Sequence, residues 1–322
     1  MIAGWTPLHT GFNSMDFNLV NLLISVRTDD VTQLCLCLPK LGREFATACR
    51  KNVCRWPARV CDSCARQDSC SWHLVFGQKL ATDPSELKRH QKPPLPFVFS
   101  FPDPSRSAET LLEMECGLVV VGQAIPCLNL LLEGFAELLS SEACPVPAEL
   151  IRIGSRDYQG AVHPLRDGCG VGHPENLVVL SIKGLIEGCL WGKSSLQIRL
   201  MSPLRLVVDG RPLIRFDFSS FARSLLRRVS SLAYYYGACE DSCDYKELSC
   251  QAEAVLCSDD QFSTVAGQSR KTSGLIGHGS FCGEFSGLLP YLVAGSYVHA
   301  GKGASFGMGM FELLPGSNDS CF

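Results

Sequence analysis

The strongest constraint on the fold is a change of hydrophobic period. Leu196, Ile198 and Leu200 alternate with Gln197 and Arg199, the period of two that marks a half-buried strand. From Phe218 onward, apolar residues recur instead at Phe221, Ala222, Leu225, Leu226, Val229, Leu232, Ala233 and Tyr236, the stripe of a helix. Asp217 is placed to cap that helix and Gly237 to end it. The pattern then predicts an acidic, cysteine-containing loop, a strand near Phe262–Arg270 and a Gly-punctuated strand near Gly277–Phe285. A helix from Leu288 that takes Pro290 in its first turn and a strand over Phe306–Leu314 follow. The order is β-α-β-β-α-β, the ferredoxin-like arrangement, in which two helices cover one face of an antiparallel sheet.

The first half repeats that order. Apolar runs at Asn18–Val26 and Gln33–Leu38 precede a basic helix around Lys40–Lys51; strands follow at Pro96–Phe101 and Leu111–Val121, then a helix at Pro126–Leu139 and a strand at Glu149–Tyr158. The Gly- and Pro-rich stretch Gln159–Gly188 reads as the junction. The expected architecture is therefore α+β, two ferredoxin-like (RRM-like) domains in tandem over 1–190 and 191–322. With 322 residues, 46% of them apolar, the chain can fill two cores. Ferredoxin-like folds host many functions, so function has to come from local features.

Charge is one such feature. The net charge of −3 gives no global reason to expect a nucleic-acid partner, but it hides an uneven distribution. Residues 40–66 carry seven Lys/Arg against Glu44 and Asp62, and residues 193–228 carry eight against Asp209 and Asp217. These stretches sum to +11 and the remainder to −14, much of it within 240–260. Two basic stretches in two similar modules suggest one shared basic surface, and a cleft lined by one sign of charge attracts a polyanion. Arg43, Arg50 and Lys51 in the first stretch, and Lys193, Arg223, Arg227 and Arg228 in the second, are the candidate phosphate contacts.

Gly301, Gly303, Gly307 and Gly309 lie in the run Gly301–Gly309, with Lys302 and Ser305 between them, just before the last predicted strand. Glycines at that density allow backbone N–H groups to converge on phosphate oxygens as a nest, and Lys302 adds a point charge. The run is neither a Walker loop nor a dinucleotide fingerprint, because it leads from helix to strand.

Eighteen cysteines is high usage. A secreted disulfide scaffold is disfavoured because Met1–Val26 lacks a basic segment followed by an apolar one, and no apolar run is long enough to span a bilayer. A cytoplasmic protein with no membrane partner is expected, its cysteines being thiols or metal ligands. Cys116, Cys127, Cys189 and Cys257, set among apolar residues, read as small core residues. Cys54, Cys61, Cys64 and Cys70 have the spacing C-x6-C-x2-C-x5-C, which can surround a structural Zn2+ within an insertion at about 52–77, with Cys49 and His73 as alternative ligands. No open ligand position is evident, so no catalytic metal is expected. Cys239, Cys243, Cys250 and Cys257 form a weaker second cluster.

The stretch Leu289-Pro290-Tyr291-Leu292-Val293-Ala294-Gly295-Ser296-Tyr297-Val298-His299-Ala300, running on through Gly301–Gly309, resembles the C-terminal signature of the CRISPR-associated RAMP endoribonucleases that process precursor CRISPR RNA. Leu225–Ala233 is similar to that family's Arg-Arg helix, Ser195–Leu206 to the strand before it, and Gly283-Glu284-Phe285 and Pro96-Phe97-Val98 to two further strands. The resemblance implies tandem ferredoxin-like domains, a structural cysteine group in the first, and CRISPR repeat RNA or crRNA as partner, with other CRISPR effector subunits as candidates and no DNA. It implies cleavage within the repeat by metal-independent 2′-OH attack, leaving 2′,3′-cyclic phosphate and 5′-OH ends.

His299 matches a histidine of the signature and, with Lys302, is the candidate catalytic residue. Its place at a helix C-terminus favours the protonated, acid form. Better-studied members place a catalytic His, with Tyr and Lys nearby, on or after the first helix; Lys40–Lys51 holds neither His nor Tyr, and His73 is the nearest alternative. Two other functions fit the same residues: a non-catalytic RNA-binding subunit of a CRISPR ribonucleoprotein, and a zinc-stabilised scaffold whose acidic segment 240–260 meets a protein.

Overall fold

Two antiparallel sheets with their helices follow one another along the chain. The computed structural model describes residues 16–55, 61, 64–82, 92–104, 112–166, 172–189, 194–237, 243–267, 269 and 272–316. The first sheet is built from β1 (Asn18–Thr28), β2 (Phe97–Ser100), β3 (Glu113–Val121), β4 (Ala148–Arg156), β5 (Val162–Arg166) and β6 (Leu180–Ser181). Its helices are α1 (Val31–Cys37), α2 (Gly42–Val53), α3 (Ser71–Phe76) and α4 (Leu128–Leu139), and α5 (Ile182–Glu187) leads out of it. The strand order β2-β3-β1-β4 is the ferredoxin-like one, extended by β5.

The second sheet repeats it. After β7 (Ser195–Leu204) and the short ribbon β8 (Val207–Val208) and β9 (Arg211–Pro212) come α6 (Phe218–Tyr236), α7 (Tyr245–Glu253), β10 (Leu256–Asp260), β11 (Ser263–Val265), β12 (Gly274–Cys282), α8 (Leu289–Val298) and β13 (Phe311–Pro315). The order is β10-β12-β7-β13. Asp217 caps α6 as expected, its side chain accepting from the Ser220 N–H at 2.8 Å.

Several expectations are corrected. The run Gln33–Leu38 is helical, because the Asp30 side chain accepts from the Gln33 N–H at 2.8 Å and starts α1. The acidic loop contains α7, started in the same way by Asp244. The strand placed near Phe262–Arg270 is present only as the short β11, and the sheet edge begins earlier with β10; the last strand begins at Phe311 because the preceding glycines hold a loop. Part of the stretch read as a junction joins the first sheet as β5 and β6. Cys116 is buried as expected, but Cys127 and Cys189 are half-buried and Cys257 is exposed. Cys282 is disulfide-bonded rather than a thiol or a metal ligand.

The strands of the first sheet are apolar on both faces because both are covered. Leu22, Ile24, Phe99 and Leu118 pack under α2 and α4, whereas Leu19, Val98, Val119 and Val121 belong to the core that contains α6 and α8 of the second module. A second link comes from the Gly-rich loop. Phe306 lies 5.7 Å from Phe97, 6.3 Å from Phe45 and 6.4 Å from Phe99, ring centre to ring centre. Next to it the Phe99 N–H donates to the Ser305 carbonyl at 3.0 Å, a parallel bridge between the modules. No helix among the described residues is long and apolar enough to cross a membrane.

Phe306→Ala should remove the ring that joins loop and first module. A loss of about 2–4 kcal/mol is expected in denaturant unfolding, somewhat under the cost of truncating a fully buried Phe because this ring is partly exposed.

Candidate nucleic-acid interface

The loop between α8 and β13 is held from within. Gly301, Gly303, Gly307 and Gly309 all have positive φ. At Gly309, with φ of 66°, a Cβ would strike the Ala300 carbonyl, so no other residue fits. The N–H groups are taken up inside the fold: Lys302 donates to Arg205 O at 2.9 Å, Phe306 to Gly303 O at 2.9 Å, Gly307 to Ala304 O at 3.3 Å and Gly309 to Pro203 O at 3.0 Å. This corrects the expected phosphate nest at Gly307 and Gly309, which are buried with their donors occupied. Ser305 is also buried. What the loop offers solvent is Lys302 and Gly303, with Gly301 half-exposed.

His299 is brought to this loop as expected, but not as a protonated acid. It is 3% exposed, and burial, reinforced by the charge of Arg228, pushes its imidazole down to about 3 despite backbone hydrogen bonds at Ala304 and Met308. Its Nδ1 is buried with no hydrogen-bond partner among the described residues. The helix-terminus argument fails because desolvation of a fully enclosed ring outweighs a terminal dipole effect. As placed, His299 is a neutral group that shapes the loop.

Arg228 is likewise corrected as a phosphate contact. Its Nε donates to the Val298 carbonyl at the end of α8 at 2.9 Å, and an Nη donates to Ser305 Oγ at 3.4 Å. Burial alone lowers its pKa to about 10, which leaves it charged at neutral pH. The carbonyl end of a helix is a favourable place for a cation without a carboxylate.

The remaining candidates separate into two groups. Arg43 is exposed and follows Gly42, which packs against the Phe306 ring of the loop, and the half-buried Arg205 accepts the Lys302 N–H on its carbonyl. Arg50 and Lys51 sit at the other end of α2, where Arg50 lies over the Trp72 ring at 5.3 Å and Lys51 pairs with Glu137 at 3.6 Å. Arg223 pairs with Glu253 at 2.8 Å, and Arg227 is exposed on the same helix. Lys193 lies outside the described residues.

A cleft of about 350 Å³ escaped the sequence reading. One wall is Phe101, Pro102 and Asp103, after β2; the other is the open face of the second sheet, with Arg199, Met201 and His278. Arg199 stands opposite both His278 on β12 and Glu312 on β13. The period-two alternation at Gln197 and Arg199 already placed Arg199 on a solvent face; the wall supplied by the other module had no signal in the sequence.

The cysteines do not assemble. Among the described residues no group of three or more His, Cys, Asp or Glu side chains is placed to hold a metal, although Cys54, Cys61, Cys64 and Cys70 are all described. Cys49 is turned into the core against Gly134, and His73 Nε2 is bonded to Gln67 Nε2 at 2.9 Å, so the alternative ligands are engaged elsewhere. In the second cluster Cys243 meets the Tyr291 hydroxyl at 2.8 Å, Cys250 and Cys257 are exposed, and Cys239 lies outside the described residues. As placed, these thiols do not fit a zinc ion.

The adjacent arginines of α6 should behave oppositely. Arg228→Ala should cost about 1–3 kcal/mol, because it strips the half-buried guanidinium from the Val298 carbonyl and the Ser305 hydroxyl, while Arg227→Ala should stay within about 0.5 kcal/mol; denaturant unfolding of both reads the contrast. For His299 the unfolded chain takes up a proton below 6.5 that the native ring refuses until about 3. Stability is therefore complete above 6.5 and falls on acidification by up to ~1.4 kcal/mol per pH unit. The drop in melting temperature between pH 7.5 and pH 5 should be smaller in His299→Gln than in the wild type.

Residues 198–311 match the family model described as the CRISPR-associated endoribonuclease Cas6, and residues 43–166 match a second model described as an N-terminal domain. No curated protein matches the chain by sequence. Among solved structures, a Cas6 product complex is similar over 92% of this chain and 99% of its own, at 13% identity and a TM-score of 0.55. Thermus thermophilus Cas6 gives the same coverage at 13% identity and 0.52. A chain of a partial Cas6-RT-Cas1–Cas2 complex is similar over 95% of this chain and 47% of its own, at 12% identity and 0.51. At these identities the structures speak for the fold alone. The chain therefore has the fold of these Cas6 structures over nearly its whole length, and its second module matches the CRISPR-associated Cas6 endoribonuclease family over 198–311.

Proposed function

We propose that the chain cuts CRISPR repeat RNA within the precursor, without a metal, by attack of the 2′-hydroxyl on the adjacent phosphorus. A bond forms from O2′ to phosphorus as the bond to O5′ breaks, leaving a 2′,3′-cyclic phosphate and a 5′-hydroxyl. The nucleophile belongs to the substrate, so the protein has to hold the strand in line and stabilise charge on the phosphate. The observation that carries this reading is the Cas6 family match over 198–311, which includes the strand, the arginine helix and the Gly-rich loop. Lys302 is the cation of that loop that reaches solvent, its N–H bonded to the Arg205 carbonyl, and is assigned to the scissile phosphate. Arg199 and His278 in the neighbouring cleft are assigned to the strand as it crosses the second sheet. His299 acts as a positioning residue through the loop.

The burial of His299 favours a second reading, a subunit that binds the repeat without cutting it. One assay separates them: cognate repeat RNA is incubated with the protein in EDTA, with and without a 2′-deoxy substitution at the scissile position. Cleavage that survives EDTA and is abolished by the 2′-deoxy supports the first reading, and tight binding with intact RNA supports the second. Under either, Arg199→Ala should lower the slope of log affinity against log salt by about 1, read by filter binding across a salt series.

A further inference from the structure

The cleft between the modules is shaped by a break in the second sheet. Leu275 of β12 stands opposite Leu204 of β7, but Gly277 stands opposite Leu200, so residues 201–203 of β7 face Ile276 alone. Such an irregularity bends the strand and opens the sheet locally. Met201 and Met310 line the opening on the sheet side, and Phe101 lines it from the first module. The Phe101 ring is stacked on Phe99 at 5.8 Å and 11°, and Gly307 of the loop lies so close that a Cβ there would meet the ring at 2.7 Å. Held between Phe99 and the loop, the ring is a fixed aromatic wall.

A phenyl ring on one wall and two thioethers on the other make a slot for a flat π system, because ring faces and polarisable sulfur both pack well against one. At about 350 Å³ the cleft has the volume of a small-ligand pocket, with room for one nucleotide rather than a run of them. Its rim is polar, and one group there is out of place in a site for a polyanion. The exposed Asp103 stands on the Phe101 wall, across from the exposed Arg199 on the sheet. A carboxylate repels phosphate, so it favours RNA only through a base edge that offers donors. The four bases differ in this respect. Guanine presents two adjacent donors, N1–H and the 2-amino group, which match the two oxygens of a carboxylate; adenine and cytosine present one amino group beside an acceptor nitrogen, and uracil one N–H between two carbonyls.

We propose that this cleft, on the reading that the chain binds repeat RNA, holds one unpaired guanine, stacked on Phe101 and read by the Asp103 carboxylate at N1–H and the 2-amino group. Unpaired bases are the ones a protein can stack on an aromatic ring and read along their pairing edge. Arg199 keeps its contact with the backbone, so position and identity are supplied by opposite walls. Arg205, whose carbonyl receives the Lys302 N–H, is six residues beyond Arg199, at most about 20 Å along an extended chain. A guanine seated here is therefore a second point of attachment, apart from the phosphate at Lys302, and it fixes which phosphate reaches that lysine.

The test uses the full-length protein and fluorescein-labelled ten-nucleotide RNAs, read by anisotropy: an all-uridine strand, and the same strand with one central guanosine, adenosine or inosine. Adenosine controls for purine stacking, and inosine is guanosine without the 2-amino group. The guanosine strand should bind about tenfold more tightly than the adenosine strand, and inosine should forfeit about fivefold of that. In Asp103→Asn the difference between guanosine and inosine should fall below about twofold, whereas Arg199→Ala should weaken all four strands alike. Asp103 is exposed, so its substitution leaves the core untouched. A guanosine strand bound no more tightly than the adenosine strand overturns the proposal, as does a guanosine–inosine difference undiminished in Asp103→Asn. Should guanosine carry no advantage while cognate repeat RNA still binds with a steep salt dependence, the pocket is lost and the RNA-binding reading stands; failure of every RNA to bind, the repeat included, overturns both.

Discussion

The seating of Phe306 among Phe45, Phe97 and Phe99 is the contact on which the rest of the arrangement depends. The ring meets Phe45 and Phe97 edge to face and stacks on Phe99, and because such packing is directional it fixes not only that the modules touch but at what angle the loop meets β2. The bridge from Phe99 N–H to the Ser305 carbonyl then sets the loop's height along the strand. With those two contacts made, Gly307 and Gly309 have to turn through positive φ for the chain to return to β13, and the loop's donors fold inward onto Gly303, Ala304 and Pro203. The glycines serve a tight return in this structure, and the phosphate-facing surface is reduced to the tip at Lys302.

Behind that tip lies a half-buried cation, Arg228, with no carboxylate paired to it among the described residues. A buried charge without partners costs several kcal/mol, so Arg228 is tolerable only because the carbonyl end of α8 and the Ser305 hydroxyl face it. Burial keeps His299 neutral, and the Arg228 charge beside it works in the same direction. Helix α6, helix α8 and the loop are thereby joined through one side chain, and the loop's shape becomes a property of the second module's core.

How far the sequence is legible follows from the range of each interaction. The strand order of both modules was readable, because alternation and helical stripes are local signals and Asp217 caps its own helix. Gln33–Leu38 misled because a short apolar run is compatible with either structure, and the deciding cap, Asp30, is a single residue. The state of His299 was not readable: Arg228 is 71 positions away, and the enclosure that desolvates the ring comes from packing. The cleft at Arg199 and His278 was half legible, one wall from alternation and the other from a module distant in sequence.

The same topology explains why a chain of net charge −3 can still present a surface suited to a polyanion. In the second sheet β10 and β13 are opposite edges, with β12 and β7 between them. The acidic residues of α7 and of β10, Asp259 and Asp260 among them, collect at the first edge, where Arg223 is already paired with Glu253. Lys302 stands on the loop that enters the other edge, and Arg205, whose carbonyl accepts from the Lys302 N–H, follows the central strand β7. The acidic residues at the β10 edge repel a polyanion, so on the proposed reading an RNA strand lies towards Lys302 on the loop, while Glu312 of β13 stands opposite Arg199. Arg199 and His278 are on the two strands between the edges. The near-neutral total is then compatible with RNA binding, because what a polyanion meets depends on where the charges are held rather than on their sum.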